Sequence, residues 1–312
     1  MMRRYLMEEE DGDRADMDIG KYELLLKAVE LRNLTKAATT LGYTQSGASH
    51  IISSIESELG LSLLRRDHSG THLTTEGELL LPAIREMVSC GEKIQSMAQS
   101  ILGLQAGVMR VAAFTSISLL WVPQIVGRFH TQYPNIRVEI ISGTGSYQEM
   151  EEFLLTARVN CGFVRMPVDP ALQCVPLLRD PLLLVLPPDH PLADQEGPVS
   201  FAQVAREPFL MPTDGNNYDI TTLFKQFNIE PQIAFTMHDD LSLLAMAENG
   251  LGCTILPALL INNYPHKAVV KRLETDPSRL IGIATRANQT PSPLTTAFID
   301  LVCQMVREYI PS

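Results

Sequence analysis

The sequence predicts a multidomain chain, α+β at its N-terminal end and α/β beyond, and three observations predict it. Two short amphipathic helices joined by a glycine turn lie between Leu34 and Gly60, with a charged hairpin behind them. An apolar stripe in steps of four and three then runs along one long helical segment. From Gly107 onward, short apolar runs alternate with amphipathic stretches, the pattern of a sheet covered by helices.

The first short helix is expected from Leu34 to about Leu41, with Asn33 as its side-chain cap and Ala37, Ala38 and Leu41 turned inward. Gly42 ends it, because glycine enters the left-handed conformation without penalty. Thr44 caps a second helix, whose Ala48, Ile51, Ile52, Ile55 and Leu59 fall within one arc of roughly 100°. The opposite arc carries Gln45, Ser46, Ser49, Ser53 and, at its edge, His50. Such side chains are short or planar and both donate and accept, which suits base edges in a major groove while backbone amides meet phosphate. Helical domains that read no nucleic acid share this outline. The next segment favours the DNA reading: Arg65 and Arg66 precede Ser69 and Gly70, and the chain leaves through Leu73, a hairpin bearing the charge of a wing.

The run AATTLGYTQSGASHIISSIESELGLSLLRR followed by LTTEGELLLP is similar to the DNA-binding half of LysR-type transcriptional regulators. The resemblance implies a winged helix-turn-helix over residues 18–76, with Thr35 and Lys36 opening one helix, Thr44 opening the reading helix, and Lys36 and Arg66 on phosphates. The chain departs from the family where Ser46 stands in place of a frequent proline and His50 in place of a frequent arginine. A histidine there is mostly neutral near pH 7, so DNA affinity is expected to rise between about pH 7.5 and about pH 6.0.

Residues 77–106 are expected to form a linker helix. Thr75 and Glu78 make a capping-box pattern, and Leu80, Ile84, Met87, Gly91, Ile94, Ala98 and Ile101 form a heptad seam. One helix cannot bury such a stripe alone, so the same helix of a second subunit is the expected partner. Pro82 and Gly91 weaken the helix and are placed to bend it.

Past Gly107 come MRVAAF, a helix from about Leu119 to Tyr133, IRVEII, a helix around Tyr147 to Thr156, and CGFVRM, which reads as a mostly parallel α/β sheet. The segments at 107–140, 175–193 and 238–257 resemble the two lobes of the LysR-family effector-binding domain, an architecture shared with periplasmic solute-binding proteins. Lobe I is then expected at about 107–174 and 279–312, through a final helix from about Leu294 to Tyr309, and lobe II at about 175–278. Effector-facing groups belong just after strand ends, where helix N-termini offer unpaired amides. Four loops qualify: Thr115 and Ser116, Gly145 and Ser146, Met211 and Thr213, and His238. The resemblance adds Cys253 and Thr254. Thr115, Ser116 and Thr213 equally suit plain helix caps. Arg165 is the only guanidinium expected nearby and suits a carboxylate clamp or a surface ion pair.

The 312 residues carry a net charge of −11, yet residues 18–75 hold six Lys or Arg against six acids, so the reading head is neutral and must lean on placement and on several subunits. Residues 1–17 are acidic and expected to be a disordered extension, with Met17 as an alternative start. They lack the apolar core of a signal peptide, and PLLLVLPP at 181–188 is only strand length, so a cytoplasmic protein without a membrane span is expected. Five cysteines without close spacing read as buried, reduced thiols. There is no GxSxG, HExxH or P-loop, and His238-Asp239-Asp240 reads as a helix start rather than a metal site, so no enzyme, metal or cofactor is expected. The expected partners are promoter DNA, a small-molecule effector of open identity and further copies of the chain as a dimer of dimers; RNA polymerase is left open. A solute-binding protein of the same two-lobed fold, without DNA function, is the alternative.

Overall fold

The structure, a computed structural model, describes residues 18–67, 70–101, 107–142, 146–213 and 217–309. The acidic segment 1–17, Ser69 of the hairpin turn and Gly145 lie outside the described residues. Contacts divide the chain into two units, the first ending at Glu92 and the second beginning at Lys93. Among the described residues no helix is long and apolar enough to cross a membrane.

In the first unit Asp18 accepts from the amide of Gly20 and opens α1 (Ile19–Glu30). Asn33 accepts from the amide of Lys36 and caps α2 (Leu34–Thr40), and Thr44 accepts from that of Gly47 and caps α3 (Gln45–Leu59). These three helices share one core through Tyr22, Leu25, Leu34, Ala38, Ile52 and Ile55. Leu41 does not join it: α2 stops at Thr40, the chain turns left-handed at Gly42 (φ 77°), and Leu41 is left 37% exposed. Leu59 is exposed too, because α3 has passed the edge of the core by its last turn.

The wing follows as β1 (Leu64–Asp67) antiparallel to β2 (Gly70–Leu73), with Asp67 opposite Gly70. The next helix, α4 (Thr75–Ile101), is capped by Thr74 rather than Thr75. The Thr74 hydroxyl donates to the carbonyl of Ser62 at 2.6 Å and accepts from the amide of Gly77 at 3.0 Å, so it closes the wing and opens the helix together. The expected seam divides. Ile84 and Val88 are buried in the core of the first unit with Leu80 and Met87 against it, and a Cβ on Gly91 would meet Ile19 at 2.8 Å. This part of the stripe packs on its own chain, and a different face, with Leu79, Ala83 and Cys90, is exposed.

The second unit opens with β3 (Gly107–Ala112), α5 (Thr115–Gln132), β4 (Ile136–Ile141), α6 (Tyr147–Leu155) and β5 (Cys161–Met166). Helix α5 starts four residues before its expected position, at Thr115. A long strand, β6 (Leu172–Leu186), then leads to α7 (Phe201–Val204), β7 (Pro208–Pro212), α8 (Tyr218–Gln226), β8 (Gln232–Met237) and α9 (Asp240–Glu248). The chain closes through β9 (Thr254–Pro257), α10 (Ala258–Ile261), β10 (Val269–Lys271), β11 (Ser278–Arg286) and α11 (Pro293–Tyr309).

The main sheet runs β10-β6-β11-β5-β3-β4, with β9 also on β6. Strand β3 is parallel to β4 and β5, and β7 is parallel to β8. Strand β11, however, is antiparallel to β5 and β6, and β6 is antiparallel to β9 and β10. The sheet is therefore mixed, not mostly parallel, because β6 leaves the first lobe for the second and β11 returns beside it. One core gathers Phe129, Phe163 and, from α11, Phe298; the other lobe is filled by Phe201, Phe209 and Phe224, with Leu243 and Leu256 beyond.

Candidate DNA-reading and effector sites

Burying Ala48, Ile52 and Ile55 of α3 turns the polar arc outward: Gln45, Ser46, His50 and Ser53 are exposed, and so are Thr44 and, on α2, Thr35 and Lys36. Ser49 is half-buried and accepts from Nη2 of Arg66 at 3.4 Å, which sets the wing's cation beside the outward arc. A carboxylate on the other side fixes that arrangement. Glu56 Oε1 accepts from the amides of Leu63 and Leu64 at 2.7 and 3.0 Å, tying α3 to the first wing strand. On the far edge, the amide of Thr71 donates to the carbonyl of Arg32, and a Cβ on Gly70 would meet that oxygen at 2.5 Å, so only glycine fits. Lys21 is held by Glu58 at 2.9 Å, and this bond, with one from Ser54, keeps the Glu58 carboxyl below its usual range.

In the second unit, polar side chains from both lobes and from the crossing strands converge around Arg279 of β11. Its Nε and Nη2 donate to Asp180 Oδ2 at 3.0 and 2.7 Å, Nη2 also to Ser116 Oγ at 2.7 Å, and Nη1 to Tyr147 Oη at 2.7 Å. Arg279 is 3% exposed and Asp180 fully buried, with Asp180 Oδ1 accepting from the amide of Leu259. Burial works against the charge on Arg279, but the Tyr147 oxygen and the Asp180 carboxylate overcome it and hold the guanidinium protonated. Burial also pushes the Tyr147 phenol well above its ordinary value, so it keeps its proton. That proton goes to Asp219 Oδ2 at 2.9 Å, and Asp219 Oδ1 accepts from Nε of Arg165 at 2.6 Å. The Arg165 guanidinium lies over the Tyr218 ring, 4.5 Å from its centroid. Desolvation raises the carboxyl of nearby Asp240, against the pull of Arg279.

The expected effector residues divide by placement. Ser116 and Arg165 enter this network, and Ser146 caps α6, accepting from the amide of Glu149, one residue before Tyr147. Thr115 is half-buried at the start of α5, whose cap position is Phe114. Thr213 Oγ1 and His238 Nδ1 lie 2.7 Å apart beyond the ends of β7 and β8. Met211, Cys253 and Thr254 are buried: Met211 and Cys253 pack in the lobe core, and Thr254 donates to the carbonyl of Leu210 at 2.9 Å. Arg165 is not the only guanidinium here. Arg279 escaped notice because β11 brings it 163 positions along the chain to Ser116, and its neighbours in SRLIGIATR read as an ordinary buried strand. Asp219 and Tyr147 were equally hidden as the acid and aromatic of amphipathic first turns. Among the described residues no group of three His, Cys, Asp or Glu could hold a metal ion.

The family model for the LysR substrate binding domain matches residues 102–307, and that for the lysR family of bacterial regulatory helix-turn-helix proteins matches residues 19–78. The chain belongs to the LysR family of transcriptional regulators. A LysR-type protein of this kind is a DNA-binding regulator with a substrate-binding domain. It is 28% identical to the HTH-type transcriptional regulator YvbU of Bacillus subtilis over 93% of this chain and 99% of that protein. Among solved structures it is similar to a full-length OxyR variant from Pseudomonas aeruginosa (TM-score 0.72, 20% identity, 93% of this chain and 95% of that chain). Full-length CbnR complexed with its target DNA also matches (TM-score 0.65, 23% identity, 92% of this chain and 99% of that chain). The relatives are transcriptional regulators, which sets aside the solute-binding alternative.

Proposed function

We propose that this LysR-type regulator reads a roughly two-fold promoter site through α3 and the wing, as a dimer of dimers, and that a small molecule between the lobes of the second unit switches it without being turned over. The observation that carries the switch is the convergence of Ser116, Tyr147 and Arg165 of one lobe with Asp219 of the other around one buried arginine. A ligand there touches both lobes, and its differential affinity for two arrangements is what moves the equilibrium. Moving 1:99 to 99:1 takes about 5.5 kcal/mol in total, a modest demand when spread over four sites. Gln45, Ser46, Ser49, His50 and Ser53 would meet bases, and Thr35, Lys36, Thr44 and Arg66 the backbone. The work is done on the chromosome, hence in the cytoplasm, with RNA polymerase as a contact of the DNA-bound form.

Recovery of genomic fragments by the full-length protein tests this reading against a variant carrying Gln45→Ala and Arg66→Ala. A few two-fold sites should be enriched by the native protein and lost by the variant. Absence of any enriched site at low salt would overturn the assignment of the reading residues.

A further inference from the structure

We propose that Asp219 is the protein's own stand-in for its effector, so that the place it occupies recognises a small carboxylate, which displaces it from Arg165 and Tyr147. This rests on the reading of the interlobe cleft as the effector site, and names the ligand class.

The donors around Asp219 decide the ligand class. Tyr147 Oη accepts from Arg279 Nη1 at 2.7 Å, and an arginine has no means of accepting in return. The phenol keeps its proton because burial raises it, so that proton is directed at Asp219. Arg165 Nε, likewise donor only, faces the other carboxylate oxygen at 2.6 Å. Two fixed donors, one from α6 and one from β5, thus converge on a single planar group, and both are carried by the first lobe. A group placed there must offer two acceptors side by side. A carboxylate does; a carboxamide turns an N–H against one of the donors and leaves it unpaired.

The carboxylate that fills the place comes from the opposite lobe, on the first turn of α8. It is 8% exposed. Among the described residues, Arg165 hydrogen-bonds only through Nε, so a small carboxylate in the same place can pair with Nε and the terminal nitrogen beside it, the two-pronged grip that Asp219 does not use. Tyr218, the residue before Asp219 on α8, stacks on the Arg165 guanidinium and so adds to the same lobe-to-lobe attachment. Displacement removes the hydrogen bonds from Arg165 and Tyr147 to α8, which links occupancy of the place to the attachment of one lobe to the other.

The test is chemical rescue in the full-length protein. Asp219→Ala vacates the place and lowers the melting temperature. Sodium acetate at about 100 mM should then raise it by about 2–4 °C above sodium chloride of equal ionic strength. Acetamide should give no shift, and the native protein, whose place is filled, less than half of it. Adding Arg165→Gln should abolish the acetate effect. Equal shifts with acetate and chloride in Asp219→Ala, or an acetate effect that survives Arg165→Gln, would overturn the proposal. If Asp219→Ala does not fold, Asp219→Asn keeps the volume while presenting a donor, and the same acetate-selective shift is expected. Promoter footprints on the same samples separate the two readings. An acetate-selective shift with no change in footprint upholds carboxylate recognition and counts against the cleft as the switch. Loss of the shift overturns the recognition and leaves the switch to be judged on the native protein's footprint.

Discussion

At Arg279, one guanidinium satisfies acceptors on β6, α5 and α6, and removing it would leave the buried Asp180 without its cation and with only the Leu259 amide, a situation that costs about 3–5 kcal/mol. The cysteines show the opposite use of burial. Desolvation pushes the Cys253 thiol up to about 12 and that of Cys174 up to about 11, so the thiolate that attacks electrophiles is scarce at neutral pH. Cys90, on the outer face of α4, is exposed. Brief treatment of the folded protein with iodoacetamide near pH 8 should therefore modify Cys90 first and spare Cys161 and Cys253, as read by peptide mass spectrometry; early labelling of Cys253 would contradict the buried placement. Reading the five cysteines as buried held for Cys161 and Cys253 but not for Cys90, whose flanking residues in MVSCGEK carry no sign of which face of the helix meets the core. Arg165 was legible as a candidate clamp because it ends an apolar strand, whereas its partner Asp219 lies 54 residues away and nothing local announces the pairing.

Elements were legible where the chain marks its own ends. Asn33, Thr44 and Gly42 punctuate α2 and α3, and each does in the structure what its chemistry suggests. Helix α1 was not foreseen, although Asp18 caps it, because it follows a run of acids and its apolar residues Leu24, Leu25 and Leu26 sit side by side without clear periodicity. The one-residue error at the start of α4 has a clear cause: Thr74 and Thr75 are both good caps, and only the carbonyl of Ser62 across the wing selects Thr74. The same junction gives a sharp test. A Cβ on Gly77 would lie 2.4 Å from the carbonyl oxygen of Leu63, and neither backbone can move without opening the wing. Gly77→Ala should destabilise the first unit by about 1–3 kcal/mol, and urea unfolding of the full-length protein should show its midpoint lowered. An unchanged midpoint would mean that the wing shifts freely against α4.

Across the whole molecule, strands such as MRVAAF and CGFVRM could be found from their apolar runs, but not their pairing directions. Those depend on β11, whose Leu280 stands opposite both Met166 and Arg179, partners more than 100 positions away in the chain. The linker helix offers a comparable lesson: its apolar residues were visible, but two faces compete for them. Ile84 and Val88 went inward, and Leu79, 77% exposed, remains on a face close to half a turn away. The sequence pointed to the seam of Leu80, Ile84 and Met87 as the face for a second copy; with that part turned to its own chain, the Leu79 face is the one left to test. Leu79→Glu should shift the protein toward monomer in light scattering at micromolar concentration while leaving its helical content intact; an unaltered mass would place the dimer contact elsewhere. Finally, the ribbon of β6 and β11 runs unbroken between the lobes except at one bulge, between Ile281 and Gly282, where a Cβ on Gly282 would strike the sulfur of Cys174 at 2.3 Å. In mechanical terms it is a leaf spring clamped in the first lobe, where β5 braces β11 across that notch, so a ligand that moved the lobes would flex the chain beyond Ser278 and Pro181, where the pairing ends, rather than at the notch itself.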